Sequence, residues 1–184
     1  MLMVDYDIAD RTIRDFPSLL RPQDIVVFND TRVIPARLIG MRGKAKVEIL
    51  LHKNIGTGAW QCFAKPAKKL NPGDIVAFAE NFSARVAEKR DDGQVVLAFD
   101  AAGFHEKLLQ HGQMPLPPYI EKKRKADTRD SKTYQTVYAA HDGSVAAPTA
   151  GLHFTPELLA ALPCPRAHVT LHVGGGTFLP VKIG

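Results

Sequence analysis

The sequence predicts an α+β chain. A β-rich module, about residues 33–99, is inserted into a mixed α/β framework made by residues 1–32 and 100–184. Three observations predict this. The apolar run Ile25-Val26-Val27-Phe28 reads as a strand buried on both faces. Between Arg32 and Phe99, short segments separated by turn residues recur, the signature of an antiparallel meander, sandwich or small barrel. Helix signals return only after Gly103.

Taken in order, Asp15–Leu20 is a short helical turn with Phe16, Leu19 and Leu20 on one side, and Arg21–Asp24 is a turn. The module's segments are 32–38, 46–52, 59–65, 75–79, 83–89 and 95–99. Val47, Ile49 and Leu51 alternate with polar residues, so one face is expected inward. Pro35 places its strand at an edge or a bulge. Residues 103–112 form a helix with Phe104, Leu108 and Leu109 inward and Gly112 as its C-cap. Pro115–Tyr119 is extended; Tyr134–Tyr138 is a short strand or helix. Thr155-Pro156-Glu157 opens a helix, with Thr at the N-cap, Pro in the first turn and an acid after it. A strand over Ala167–Val173 is broken by Gly174-Gly175-Gly176. The framework has few strands and reads as incomplete.

Composition narrows the class. With 184 residues and 45% apolar content, the chain can bury a core. It has no run of about 18 apolar residues that could span a membrane, and Met1–Asp7 lacks the pattern of a secretory signal. Cys62 and Cys164 lie far apart and read as reduced structural thiols. The net charge of +5 is concentrated at Lys122-Lys123-Arg124-Lys125 and at Lys65, Lys68 and Lys69, a footprint suited to a polyanion or simply to a solvated loop.

Three clusters carry chemistry. Asn29-Asp30-Thr31-Arg32 follows the buried run, at the strand end where α/β sheets place ligand-binding groups. The small-residue stretch Gly143–Thr155 holds Ser144, Thr149, Thr155 and His153. It leads into a helix N-terminus and serves equally as a packed crossover or a ligand loop. His168, Thr170 and His172 share one strand face, and the Gly174–Gly176 amides beyond them could hold an anion. A Walker loop, a Rossmann fingerprint, a G-x-S-x-G elbow and a histidine pair with zinc spacing are all absent from the sequence, and no metal is expected.

Six motifs in order carry a resemblance over nearly the whole chain. They are Asn29–Leu38, Pro66–Leu70, Pro115–Ile120, Tyr134–Ala139, Gly143–Thr155 and Val169–Gly174, the last continued by Gly176-Thr177-Phe178 and Pro180-Val181. Together they resemble the S-adenosylmethionine:tRNA ribosyltransferase-isomerase family of queuosine biosynthesis. The resemblance implies a mixed α/β domain interrupted by an antiparallel β-barrel domain. It also implies that an N-terminal segment and the C-terminal half of the family's length are lacking here. As the function it implies, the ribosyl moiety of S-adenosylmethionine is transferred to, and isomerised on, 7-aminomethyl-7-deazaguanine at the wobble position of a tRNA. The products would be epoxyqueuosine-tRNA, adenine and methionine, formed in the cytoplasm without a metal. A monomer is expected when the chain is full length. The alternative is a non-catalytic tRNA-binding module or an inactive fragment of the same family.

That chemistry needs a base, for which Asp30 or His153 is expected. Thr149 and Gly151 would position the donor substrate, joined by Asn29, Thr31 and His172. Arg32 or the amides of Gly174, Gly175 and Gly176 would hold its carboxylate. Lys68, Lys69, Lys122, Lys123, Arg124 and Lys125 would contact tRNA phosphates.

Overall fold

The computed structural model describes residues 2–4, 8–56, 58–90, 93–100, 102–117, 120, 124 and 129–178. Strands β1 (Leu2–Val4) and β2 (Ile8–Asp10) pair antiparallel. A 3₁₀ turn over Ile13–Leu19 follows, and the Thr12 amide donates to Asp15 Oδ2 at 2.8 Å.

Six strands then close a barrel: β5 (Arg37–Arg42), β6 (Ala45–Gly56), β7 (Ala59–Lys65), β8 (Ile75–Ala79), β9 (Phe82–Lys89) and β10 (Gln94–Phe99). Their order around the barrel is β10-β7-β6-β5-β8-β9, with every neighbouring pair antiparallel. Alternation accounts for the interior. Val47, Ile49 and Leu51 of β6 and Phe82, Ala84 and Val86 of β9 point inward, where they meet Leu38, Cys62, Val76, Val95 and Leu97. The Cys62 thiol, sealed inside, has its pKa pushed far up by burial. Cys62 and Cys164 are both unbridged and buried.

The framework consists of β3 (Val26–Asn29), β4 (Thr31–Val33), β11 (His141–Ser144) and β12 (Arg166–Val169). β3 and β4 form almost one strand, with Asp30 between them. β12 runs parallel to β3, and β11 runs parallel to β4. Asp30 bonds to both sides. Its N–H donates to the Val169 carbonyl at 3.0 Å, and its carbonyl accepts the Ala140 N–H at 2.8 Å. Helix α1 (Phe104–His111) closes one end of the barrel. Phe104 lies against Trp60, Phe82 and Phe99 there. Helices α2 (Asp130–Thr133) and α3 (Pro156–Ala160) are single turns. The Thr155 cap forms as expected, with its hydroxyl accepting the Leu158 N–H at 3.2 Å.

Several expectations are corrected. The run Ile25–Phe28 is not buried on both faces: Ile25 is 60% and Val27 55% exposed. Phe28 alone is buried, against Tyr138, Phe154 and His168, because among the described residues β3 pairs with β12 alone and its exposed side chains are uncovered. Pro35 does not sit on an edge strand but separates β4 from β5. Leu109 faces outward while Leu108 is buried. Gly112 is the C-cap of α1 as expected, but in an extended rather than a left-handed conformation. A Cβ there would lie 2.1 Å from the Pro35 carbonyl oxygen, and close approach is what requires glycine. The last strand stops at Val169, and Tyr134–Tyr138 is a turn following α2.

Candidate functional site

A cavity of about 660 Å³ opens where the barrel meets the framework. The barrel side supplies Ile34, His52, Lys53, Asn54 and Trp60. Phe104, His105 and Leu108 come from α1, and Asp142, Gly143, His172 and Gly174 from the framework. Its size suits a nucleoside-sized ligand, and its wall is mostly apolar with a few converging polar groups.

Local structure explains how each polar group reaches the cleft. The inward alternation of β6 ends at Leu51, and its register against β7 slips between Leu51 and Lys53 and again between Asn54 and Gly56. Such bulges re-aim side chains, and here His52, Lys53 and Asn54 turn to the cleft. The His52 ring packs on Phe63 at 5.0 Å. A Cβ on Gly174 would come within 2.8 Å of that ring. Burial, then the charge of Lys53, holds the His52 imidazole below its usual range, and its Nδ1 is buried without a partner among the described residues.

His172 is fixed from two sides. Its Nδ1 lies 2.7 Å from the hydroxyl of fully buried Thr31. Gly143 lies against the ring, and a Cβ on Gly143 would stand 2.8 Å from its Cε1 and Nε2. At the rim, Asp142 joins Arg32 and His105, each at 3.5 Å.

The structure divides the residues singled out from the sequence. His172 and Gly174 line the cleft, and Thr31 supports His172 from behind. Asp30 is buried and does not line it: Oδ1 accepts the Thr170 hydroxyl at 2.7 Å, and Oδ2 is 3.7 Å from His141 Nε2. Asn29 clamps the backbone of Leu171, accepting its N–H and donating to its carbonyl, both at 3.0 Å. His168, Thr170 and His172 do not share a ligand face, since His168 lies against Phe28 and Tyr138 instead.

Thr149 and His153 line a separate cavity of about 280 Å³ beside Arg124, Asp130 and Tyr134. Gly151 packs under Tyr138, whose hydroxyl oxygen would stand 2.2 Å from a Cβ there. Gly175 is buried against Leu50 and Leu51 of the barrel. The triple glycine is therefore first a close contact between framework and barrel. Arg124 makes a two-point ion pair with the buried carboxylate of Asp130, at 2.8 and 2.5 Å, which commits it to the fold. Lys68 and Lys69 are exposed in a 3₁₀ turn. Lys122, Lys123 and Lys125 lie outside the described residues.

Sequence reasoning did not single out His52, Asn54, His105 or Asp142 for the site. The signal available for His52–Asn54 was the break in alternation after Leu51.

A framework of parallel strand pairs carries a closed antiparallel barrel, with a partly apolar cleft between them. The family model for queuosine biosynthesis proteins matches residues 1–184, and the chain belongs to that family. A protein of Rhodospirillum rubrum named S-adenosylmethionine:tRNA ribosyltransferase-isomerase is 59% identical over 179 residues, covering 95% of this chain and 51% of its own length. A protein of the same name from Maricaulis maris is 54% identical, covering 95% and 53%. The crystal structure of S-adenosylmethionine tRNA ribosyltransferase from Thermotoga maritima aligns with a TM-score of 0.40 at 30% identity, over 91% of this chain and 47% of that one. The chain spans about half the length of the curated relatives it matches. Among the described residues, no helix is long and apolar enough to cross a membrane.

Proposed function

We propose that this chain supplies the S-adenosylmethionine-binding wall of a cytoplasmic tRNA ribosyltransferase-isomerase. The enzyme would move the ribosyl moiety of S-adenosylmethionine onto 7-aminomethyl-7-deazaguanine at the tRNA wobble position. Epoxyqueuosine-tRNA, adenine and methionine would leave. Residues 33–99 act in this reading as a barrel domain inserted between 1–32 and 100–184.

The observation that carries the reading is the cleft of about 660 Å³ in a chain of this family. Trp60, Phe104 and Leu108 offer an apolar bed for a purine, while His52, Asn54, Asp142 and His172 offer polar partners. Asp142 and His172 are placed to orient the donor. Asp30 acts through Thr170, holding the segment that carries His172, and His153 serves the neighbouring cavity with Thr149. Lys68 and Lys69, with Lys122, Lys123 and Lys125, contact tRNA phosphates.

The test is release of adenine from S-adenosylmethionine in the presence of precursor tRNA. Turnover by this chain supports a self-sufficient catalyst. tRNA binding without adenine release would instead support a second reading, a non-catalytic tRNA-binding module. Replacing Lys68 and Lys69 should reduce the salt slope of tRNA binding by about 0.7–0.9 per lost phosphate contact; an unchanged slope rejects their assignment.

A further inference from the structure

We propose that Thr31 fixes His172 as its Nε2–H tautomer, and that this N–H is the donor that holds a purine ring nitrogen of the ligand in the cleft. The ligand half of the proposal rests on the function proposed above. The tautomer half rests on geometry alone.

The Thr31 side chain is fully buried, and its hydroxyl has one hydrogen to place. Among the described residues its one partner is His172 Nδ1, at 2.7 Å. With the hydroxyl donating to Nδ1, the hydrogen is satisfied and the neutral ring carries its own proton on Nε2. The reverse arrangement, Nδ1–H donating to Oγ1, leaves the hydroxyl hydrogen buried without an acceptor, which is the costlier state. A hydrogen bond to one ring nitrogen that sets the tautomer of a histidine is a general device. His172 Nε2 has no hydrogen-bond partner among the described residues, and the ring lines the cleft.

The ring cannot easily turn away. Gly143 presses on Cε1, Nε2 and Cδ2, and a Cβ there would sit 2.8–3.0 Å from them. The backbone on either side of His172 is also held. Asn29 grips Leu171, and Ser144 Oγ accepts the Val173 N–H at 3.0 Å. The result is a pre-positioned N–H in a cleft with an aromatic bed at Trp60 and Phe104. A purine offers a flat face to that bed and unprotonated ring nitrogens at its edge. His172 is then a binding donor, and Thr31 is its positioning residue.

The experiment is ¹⁵N NMR of the imidazoles in the 184-residue chain, with adenosine and S-adenosylmethionine as probes. Free His172 should show a pyridine-type Nδ1 and a protonated Nε2. Thr31→Ser should preserve that pattern, while Thr31→Val should produce a tautomer mixture and weaken adenosine binding about two- to tenfold. Adenosine should move the His172 Nε2 signal. His172→Gln, which keeps an N–H at the same reach, should retain more affinity than His172→Phe. A protonated Nδ1 in the unaltered chain, or Thr31→Val with unchanged tautomer and affinity, overturns the proposal. Adenosine that moves other cleft signals but not His172 overturns the donor role. Adenosine that moves no cleft signal overturns the functional reading beneath it as well.

Discussion

Every strand of the barrel has a partner on each side, whereas among the described residues each of β3, β4, β11 and β12 has a ladder on one side. The difference shows two ways of satisfying the backbone. In the barrel, backbone ladders satisfy the peptide groups and alternation fills the interior, leaving little for individual polar side chains to hold. In the framework, side chains take the place of missing ladders. Gln135 behaves as a strand edge for β4, accepting the Val33 N–H at 3.0 Å and donating to its carbonyl at 2.7 Å. Asn29 does the same for Leu171. Ser144 ties Ala146 and Val173, donating to the Ala146 carbonyl at 2.7 Å. The cleft lies between these two kinds of construction.

The contrast can be broken or sharpened in order of expected effect. Ile49→Ala should cost about 2–5 kcal/mol in urea unfolding, because Ile49 is fully buried in the barrel. A loss under about 1 kcal/mol would mean that the barrel is not the stable unit. Asp130→Ala should cost about 2–3 kcal/mol, since it removes a two-point ion pair with Arg124 from a buried carboxylate site; the figure is discounted because Arg124 is 42% exposed. Asn29→Ala should cost about 1–2 kcal/mol and raise hydrogen exchange at Leu171 and Thr31, whose amides it binds. Equal exchange in both forms would show that this staple is ornamental.

Val27→Thr, at an exposed position of β3, should change stability by under about 0.5 kcal/mol. A larger loss would reveal a covered face. The smallest effect concerns pH. The folded chain disfavours His52 imidazolium, so the unfolded chain takes up that proton first. Stability should therefore fall as pH drops below the ordinary histidine value of 6.5, and stop falling once folded His52 is itself protonated. In a His52→Asn variant this component of the pH slope should vanish, as read from unfolding curves between pH 5 and pH 8 on the scale where histidine titrates.

Legibility follows the same division. The barrel was open to reading because period-two alternation and glycine turns are local signals, as in Val47, Ile49 and Leu51 before the Gly56–Gly58 turn. The framework was less so. Ile25–Phe28 has the apolar texture of a doubly covered strand, but coverage depends on what packs there. Gly151 reads as positioning a ligand, and Gly174 and Gly175 as ligand amides, yet each lies against a side chain from another segment: Tyr138, His52 and Leu50. His153, an imidazole, lines the smaller cavity, whereas Asp30, a carboxylate, is buried and accepts the Thr170 hydroxyl.

The sequence by itself determined the strand periodicities, the Thr155 cap, the family and the residue types available for acid, base and hydrogen-bond work. Each depends on spacing along the chain or on side-chain chemistry. Tertiary structure alone decided which of those residues meet. His52 and His172 lie 120 positions apart in the chain, yet they line one cleft. Thr31 and His172 meet only because β12 runs parallel beside β3 and returns the chain past β4. No local pattern encodes that meeting, since it arises from which strand edges remained unpaired and which side chains could satisfy them.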